Sequence, residues 1–200
     1  MPGLIGYVTS EDRPLSPSLI RAMAQPMVHR PTYQVQTRTE GGFGWGTVDL
    51  SAGRQSGFTR SADGRYILVW FGAIYDTWVP REGGLAEVLL KRWTEQGVRG
   101  LTDLNGEYVI AVWDSVERRA TLTNDRLGLK RLHLWRNGTT FAWASELKSL
   151  AVLPQVSRAI DEQALAELLT FGHLQDDRTL LRDVKLLPPA SVLTWRDGST

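Results

Sequence analysis

Leu104-Asn105-Gly106-Glu107-Tyr108-Val109-Ile110-Ala111-Val112-Trp113-Asp114 is the stretch on which the reading of this chain turns. From Glu107 to Asp114 it is rich in β-branched and aromatic residues and reads as a strand. A short polar turn separates it from a second strand, Arg119-Ala120-Thr121-Leu122-Thr123. Upstream, Asp63-Gly64 is a hairpin signal between Gly57-Phe58-Thr59 and Tyr66-Ile67-Leu68-Val69-Trp70-Phe71. That last run is almost wholly apolar, as a strand buried on both faces would be. Tyr66–Phe71 and Glu107–Asp114 are therefore expected inside sheets and not at their edges.

Outward from these strands, the pattern alternates between sheet and helix. Leu4–Val8 is a short apolar run that reads as a strand. Ser16-Pro17 supplies an N-cap and a first-turn proline, and Leu19, Ile20, Met23 and Met27 follow at helical spacing, as core packing requires. Thr32–Arg38 reads as a strand. Gly41–Gly46 fits neither phosphate-loop pattern and reads as a loop entering a strand at Thr47–Leu50. A helix is expected from Glu82 to Gln96, with Leu85, Val88, Leu89 and Trp93 on one face and Gly97 as its stop. Asn137-Gly138 marks a hairpin between Leu132–Trp135 and Thr139–Ala144. Asp161 caps a helix carrying Leu165, Leu168 and Leu169 that stops at Gly172, and Val192–Trp195 reads as a last strand before Asp197-Gly198. Many antiparallel strands with helices early, in the middle and late imply an α+β fold of two stacked sheets with helices outside.

Composition excludes several classes. The chain has 200 residues, 42% hydrophobic and 22% charged, which fits one globular domain with a real core. A formal net charge of +1 gives no footprint for nucleic acid or for an anionic membrane. The absence of cysteine removes disulfides, thiolate-held metals and thiol catalysis, and fits a reducing cytoplasm. The three histidines, His29, His133 and His173, show no metal-ligand spacing, so neither metal nor cofactor is expected. No signal peptide and no apolar run long enough to span a bilayer is read.

Beyond these patterns, an ordered set of motifs runs along the chain. Met1-Pro2-Gly3-Leu4-Ile5-Gly6 is followed by Trp70-Phe71-Gly72-Ala73-Ile74-Tyr75-Asp76 and then by Leu104–Asp114. Next come Asn124-Asp125-Arg126-Leu127-Gly128-Leu129-Lys130-Arg131-Leu132 and Phe141-Ala142-Trp143-Ala144-Ser145-Glu146-Leu147-Lys148-Ser149-Leu150, and last Leu186-Leu187-Pro188-Pro189-Ala190-Ser191. Together they resemble the class II glutamine amidotransferase domain that begins asparagine synthetase and its relatives. The resemblance implies the four-layer αββα sandwich of N-terminal-nucleophile hydrolases, with residues 1–200 as a single glutaminase-like domain. The S-G-G-x-D-S pyrophosphate loop is not found, so the ATP-pyrophosphatase synthetase domain is absent from this sequence.

The resemblance also assigns positions to a site, and the site is degenerate. Members of the family begin Met-Cys-Gly-Ile. Loss of the Met exposes a cysteine whose thiolate attacks glutamine while its own amine acts as base. Here Pro2 stands at that place, without a nucleophilic side chain. The family's oxyanion loop N-G-E-x-Y-N corresponds to Phe71–Asp76; Phe71 has no amide, and Gly72 retains only its backbone N–H. The aspartate that holds glutamine's amino group corresponds to Leu85, and no arginine stands between Trp45 and Leu50 for the substrate carboxylate. Asp125, Arg126, Glu146 and Lys148 are expected to pair inside the fold.

These readings lead to a catalytically inactive pseudo-glutaminase. Such a domain would act as scaffold for an asparagine-synthetase-like, ATP-dependent ligase that forms amides or lactams, as the resemblance to β-lactam synthetases and lasso-peptide cyclases implies. The partner is then an ATP-dependent synthetase domain or subunit. The alternative is a free-standing module that binds a peptide or small molecule in the emptied pocket, for which the eight tryptophans are suggestive although core packing accounts for most.

Overall fold

The computed structural model describes residues 2–11, 14–50, 55–80 and 84–196. The expected helix start at Glu82 and the Asp197-Gly198 turn lie outside the described residues.

Two antiparallel sheets stack face to face. The first has the order β10(Val184–Leu186), β8(His133–Asn137), β9(Thr140–Ala144), β1(Gly3–Thr9), β3(Phe43–Asp49), β2(Gln34–Glu40). The second has the order β11(Val192–Arg196), β7(Arg119–Asn124), β6(Gly106–Asp114), β5(Tyr66–Ile74), β4(Ser56–Arg60). β5 and β6 hold interior positions, as their apolar runs predict, and are paired from Tyr66↔Asp114 to Ile74↔Gly106.

Side-chain alternation builds three cores from these strands. On β5, Ile67, Val69 and Phe71 face the layer between the sheets, while Leu68, Trp70 and Ile74 face outward. β6 does the same with Val109, Ala111 and Trp113 against Tyr108, Ile110 and Val112. The outward residues pack on α2(Leu85–Gln96) and α3(Arg99–Thr102) through Leu89, Leu90, Trp93 and Leu101. On the far side, Ile5, Tyr7, Ala142 and Ala144 pack on α1(Pro17–Ala24) and α4(Leu147–Ala151) through Ile20, Met23 and Leu150. The order is helix, sheet, sheet, helix. An aromatic stack fills the centre, with the Phe43 ring 5.1 Å from Trp45 and 5.0 Å from Trp113.

The caps follow the sequence signals. The Ser16 side chain accepts the Ser18 N–H at the head of α1, and Pro17 opens the helix. The Asp161 carboxylate accepts the Ala164 N–H at 3.0 Å and begins α5(Glu162–Phe171), which ends at Gly172 in the left-handed conformation.

Two readings are corrected. Phe43–Gly46 is the first half of β3 and not a loop. Gly44 serves close packing there, since a Cβ on it would lie 2.6 Å from the Ile20 side chain of α1. The buried face of α2 is turned from the expected one: Ala86, Leu89, Leu90 and Trp93 are buried, while Leu85 and Val88 sit at its margin.

Candidate functional site

β1 lies between β9 and β3, and Pro2 immediately precedes it. The start of β1 is tied to the end of β9. The Leu4 N–H donates to Ser145 Oγ at 3.0 Å, and the Ser145 N–H donates to the Leu4 carbonyl at 2.9 Å. Pro2 thereby reaches the wall of a cavity of about 930 Å³ at one end of the sheets. Phe71 from β5 forms another part of that wall. The structure thus brings Pro2 and Phe71 to one cavity, with Gly72 adjoining Phe71 along β5.

Gly72 does not offer the donor expected of it. Phe71–Ile74 continues β5 and is not a free loop. The Gly72 N–H donates to the Gln55 carbonyl at 2.7 Å, so this donor is already engaged. The position itself demands glycine. Its φ is +132°, and a Cβ would fall 2.0 Å from the Glu107 carbonyl oxygen of β6.

Leu85 is not brought to the cavity. It is the first residue of α2 and packs against the core between that helix and the second sheet. Its apolar side chain adds to the outer core and occupies no part of the cavity wall. The cavity remains open beside Phe71.

Asp125 is 1% exposed and organises the turn after β7. Its carboxylate accepts the N–H groups of Leu127 and Leu129 at 3.0 Å, Lys130 at 3.2 Å and Tyr108 at 3.3 Å. The turn places Leu129, Lys130 and Arg131 on the cavity. Lys130 Nζ lies 5.5 Å from the Phe71 ring centroid and 3.3 Å from Glu107. Beside Asp125, the Asn124 side chain donates to the Pro188 carbonyl at 2.9 Å and accepts the Ser191 N–H at 3.0 Å, anchoring the Leu-Pro-Pro segment. Arg126 is solvent-exposed and is not part of a buried pair.

Glu146 and Lys148 do pair, at 2.9 Å, but at the cavity and not in the interior. His29 completes the cluster, 3.2 Å from Glu146 and 3.0 Å from Lys148. Partial desolvation, followed by nearby positive charge including Lys148, holds its imidazole below the ordinary value. A neutral imidazole accepts from the Lys148 ammonium at Nε2, and a protonated one donates to Glu146. His133, also on the cavity, is held low chiefly by burial, against a 3.3 Å contact of its Nδ1 with the Ala144 carbonyl.

Sequence reading did not single out His133 for this site, nor Ile160 and Leu181, which also line the cavity. His29 and His133 carried no spacing signal, because they arrive from separate elements. The Ser145–Lys148 motif was the available pointer, since it brackets the residues that meet Pro2. Chemically, the cavity has cations, a carboxylate and apolar surface, but no nucleophilic side chain at residue 2. Ser145 Oγ is engaged with the Leu4 N–H. Among the described residues no group of His, Asp and Glu side chains is arranged to hold a metal ion.

The architecture is that of a glutamine amidotransferase domain, and comparison with known proteins agrees. The family model of that name matches residues 1–200, and the chain belongs to this family. Within it, the chain is of the asparagine-synthetase-like kind. It is 28% identical over 164 residues to asparagine synthetase [glutamine-hydrolyzing] 3 of Bacillus subtilis strain 168, covering 76% of this chain and 27% of the relative. It is 29% identical over 195 residues to asparagine synthetase [glutamine-hydrolyzing] 1 of the same organism, covering 90% and 31%. The chain thus spans about a quarter to a third of the length of these relatives.

Among solved structures, the glutamine phosphoribosylpyrophosphate amidotransferase of B. subtilis matches with a TM-score of 0.60 and 14% identity, over 99% of this chain and 50% of the other. An allosteric regulatory enzyme of purine biosynthesis matches with a TM-score of 0.59 at the same identity, over 99% of this chain and 49% of the other. The fold is the four-layer sandwich of the N-terminal-nucleophile amidotransferases.

Proposed function

We propose that this chain is a pseudo-glutaminase: a domain of the amidotransferase family that does not hydrolyse glutamine and serves an ATP-dependent amide- or lactam-forming synthetase domain or subunit as scaffold. The observation that carries the reading is the chemistry at the head of β1. Acyl transfer from glutamine needs a nucleophile, a base and donors for the developing oxyanion. Pro2 supplies no nucleophilic side chain. Phe71 supplies no amide, and the Gly72 N–H is spent on Gln55. What survives is structural: Asp125 and Asn124 hold turns and segments together.

The synthetase partner is supported by the relatives, which are named as synthetases and are far longer than the matched region. A cytoplasmic setting accords with the lack of cysteine. No helix among the described residues is long and apolar enough to cross a membrane. The test is affinity capture of the tagged chain from its own cells, with the captured proteins assayed for ATP-dependent pyrophosphate release. Recovery of an ATP-pyrophosphatase ligase, as a separate subunit or in the same reading frame, is the expected result. A chain that carries no such domain and captures no such subunit would refute the scaffold role. The open cavity favours a second reading, a ligand-binding module, and its chemistry can be specified.

A further inference from the structure

The cavity beside Pro2 is apolar over much of its wall and cationic at its polar positions. Phe71, Leu129, Leu147 and Leu181 contribute apolar surface from separate elements. Lys130, Arg131 and Lys148 contribute positive charge, and Glu146 is the only carboxylate among the described lining residues. That carboxylate is already paired with Lys148 at 2.9 Å, with His29 Nε2 3.2 Å away. Lys130 is balanced by Glu107 at 3.3 Å. Arg131 is exposed and makes no hydrogen bond or ion pair within the described residues. The local balance is positive, with one guanidinium available.

From this arrangement we infer that the cavity binds an amphipathic monocarboxylate, its aliphatic body against Phe71, Leu129 and Leu181 and its carboxylate at Arg131. The positive balance selects the sign, and a guanidinium matches a carboxylate in geometry as well as charge. The wall selects the body, because burying aliphatic surface there removes it from water on both sides. The volume of about 930 Å³ falls in the range of about 300–1,000 Å³ usual for small-molecule sites. A free amino acid such as glutamine is disfavoured. Its ammonium meets a positive edge, and its amide meets a wall without partners. The inference rests on the cavity alone and stands whether or not the domain serves a synthetase.

Octanoate, 1-octanol and octylammonium separate the contributions of charge and chain. Calorimetric titration into the full chain is expected to show saturable one-to-one binding of octanoate, with 1-octanol about tenfold weaker and octylammonium weaker still. Arg131→Glu, at an exposed position, is expected to weaken octanoate about tenfold and to leave 1-octanol unchanged. Leu181→Ser is expected to weaken octanoate and 1-octanol alike. Circular dichroism confirms that both variants are folded. No saturable octanoate binding, equal affinity for octanoate and 1-octanol, or indifference of octanoate to Arg131→Glu would each overturn the inference.

Discussion

Replacing Asp125 by alanine removes one acceptor group that serves several donors at once. The carboxylate is 1% exposed and takes N–H groups from Tyr108, Leu127, Leu129 and Lys130. Alanine satisfies none of them. The Tyr108 N–H is in the interior and has no access to water once its acceptor is gone, at a cost of about 1–3 kcal/mol. The other donors lie in a partly exposed turn where water substitutes in part, so about 0.5–1 kcal/mol each is appropriate. The expected loss is about 2.5–6 kcal/mol, a large share of the stability of an ordinary domain. Asparagine keeps one acceptor oxygen without the charge and should cost about half as much. Urea unfolding followed by tryptophan fluorescence measures both, with the m-value held as a check that the unfolded surface is unchanged. A loss below about 1 kcal/mol for Asp125→Ala would refute the assignment of this carboxylate as the centre of the turn. It would also remove the reason given for the placement of Leu129, Lys130 and Arg131.

Other outcomes follow from the site and its surroundings. Pro2→Cys alone is expected to show no glutaminase turnover. Each missing oxyanion donor costs about 10²–10³ in rate, and both the amide at residue 71 and the Gly72 N–H are unavailable; a coupled glutamate assay showing about 1 s⁻¹ or more, an ordinary enzymatic rate, would contradict this. Leu85→Asp is expected to destabilise without creating any affinity for glutamine, because the residue packs at the outer core; calorimetry that detects glutamine binding in this variant would return residue 85 to the site. His133 is held neutral by burial, so its folded pKa lies below the unfolded value of about 6.5. Its contribution is therefore fully present above that pH and is lost as pH falls through the folded value. Melting temperatures from pH 7 to 5 should decline less steeply in His133→Gln than in the parent. His29 is shifted in the same direction, but it is exposed, and its titration affects stability little. An unchanged slope in His133→Gln would show that the imidazole is solvated.

The fold was largely legible because its strands carry unambiguous patterns. Tyr66–Phe71 and Glu107–Asp114 are apolar on both faces, and only interior strands of a covered sheet permit that. Capping chemistry located α1 and α5 for the same local reason. Gly44 misled because glycine in sequence reads as a loop, whereas its role is the approach of Ile20 from another layer. The site was legible only in part. Pro2 and Phe71 do meet at one cavity, but Leu85 was assigned by the family resemblance alone, and no local signal fixes which way that end of the helix faces. The engagement of the Gly72 N–H by Gln55 is a pairing across the sheet's end, and the sequence around residue 72 contains no trace of it. His29 reaches Glu146 and Lys148 across more than a hundred residues, which is beyond any spacing rule.

The central claim is that the family's reaction has been lost from this domain. Its most direct test is incubation of the full purified chain with glutamine, with glutamate followed by a coupled dehydrogenase assay and Pro2→Ala measured alongside. The account predicts glutamate formation no greater than in a blank without protein, for both proteins. Catalytic release by the parent chain that disappears in Pro2→Ala would contradict it, because residue 2 would then be taking part in the hydrolysis.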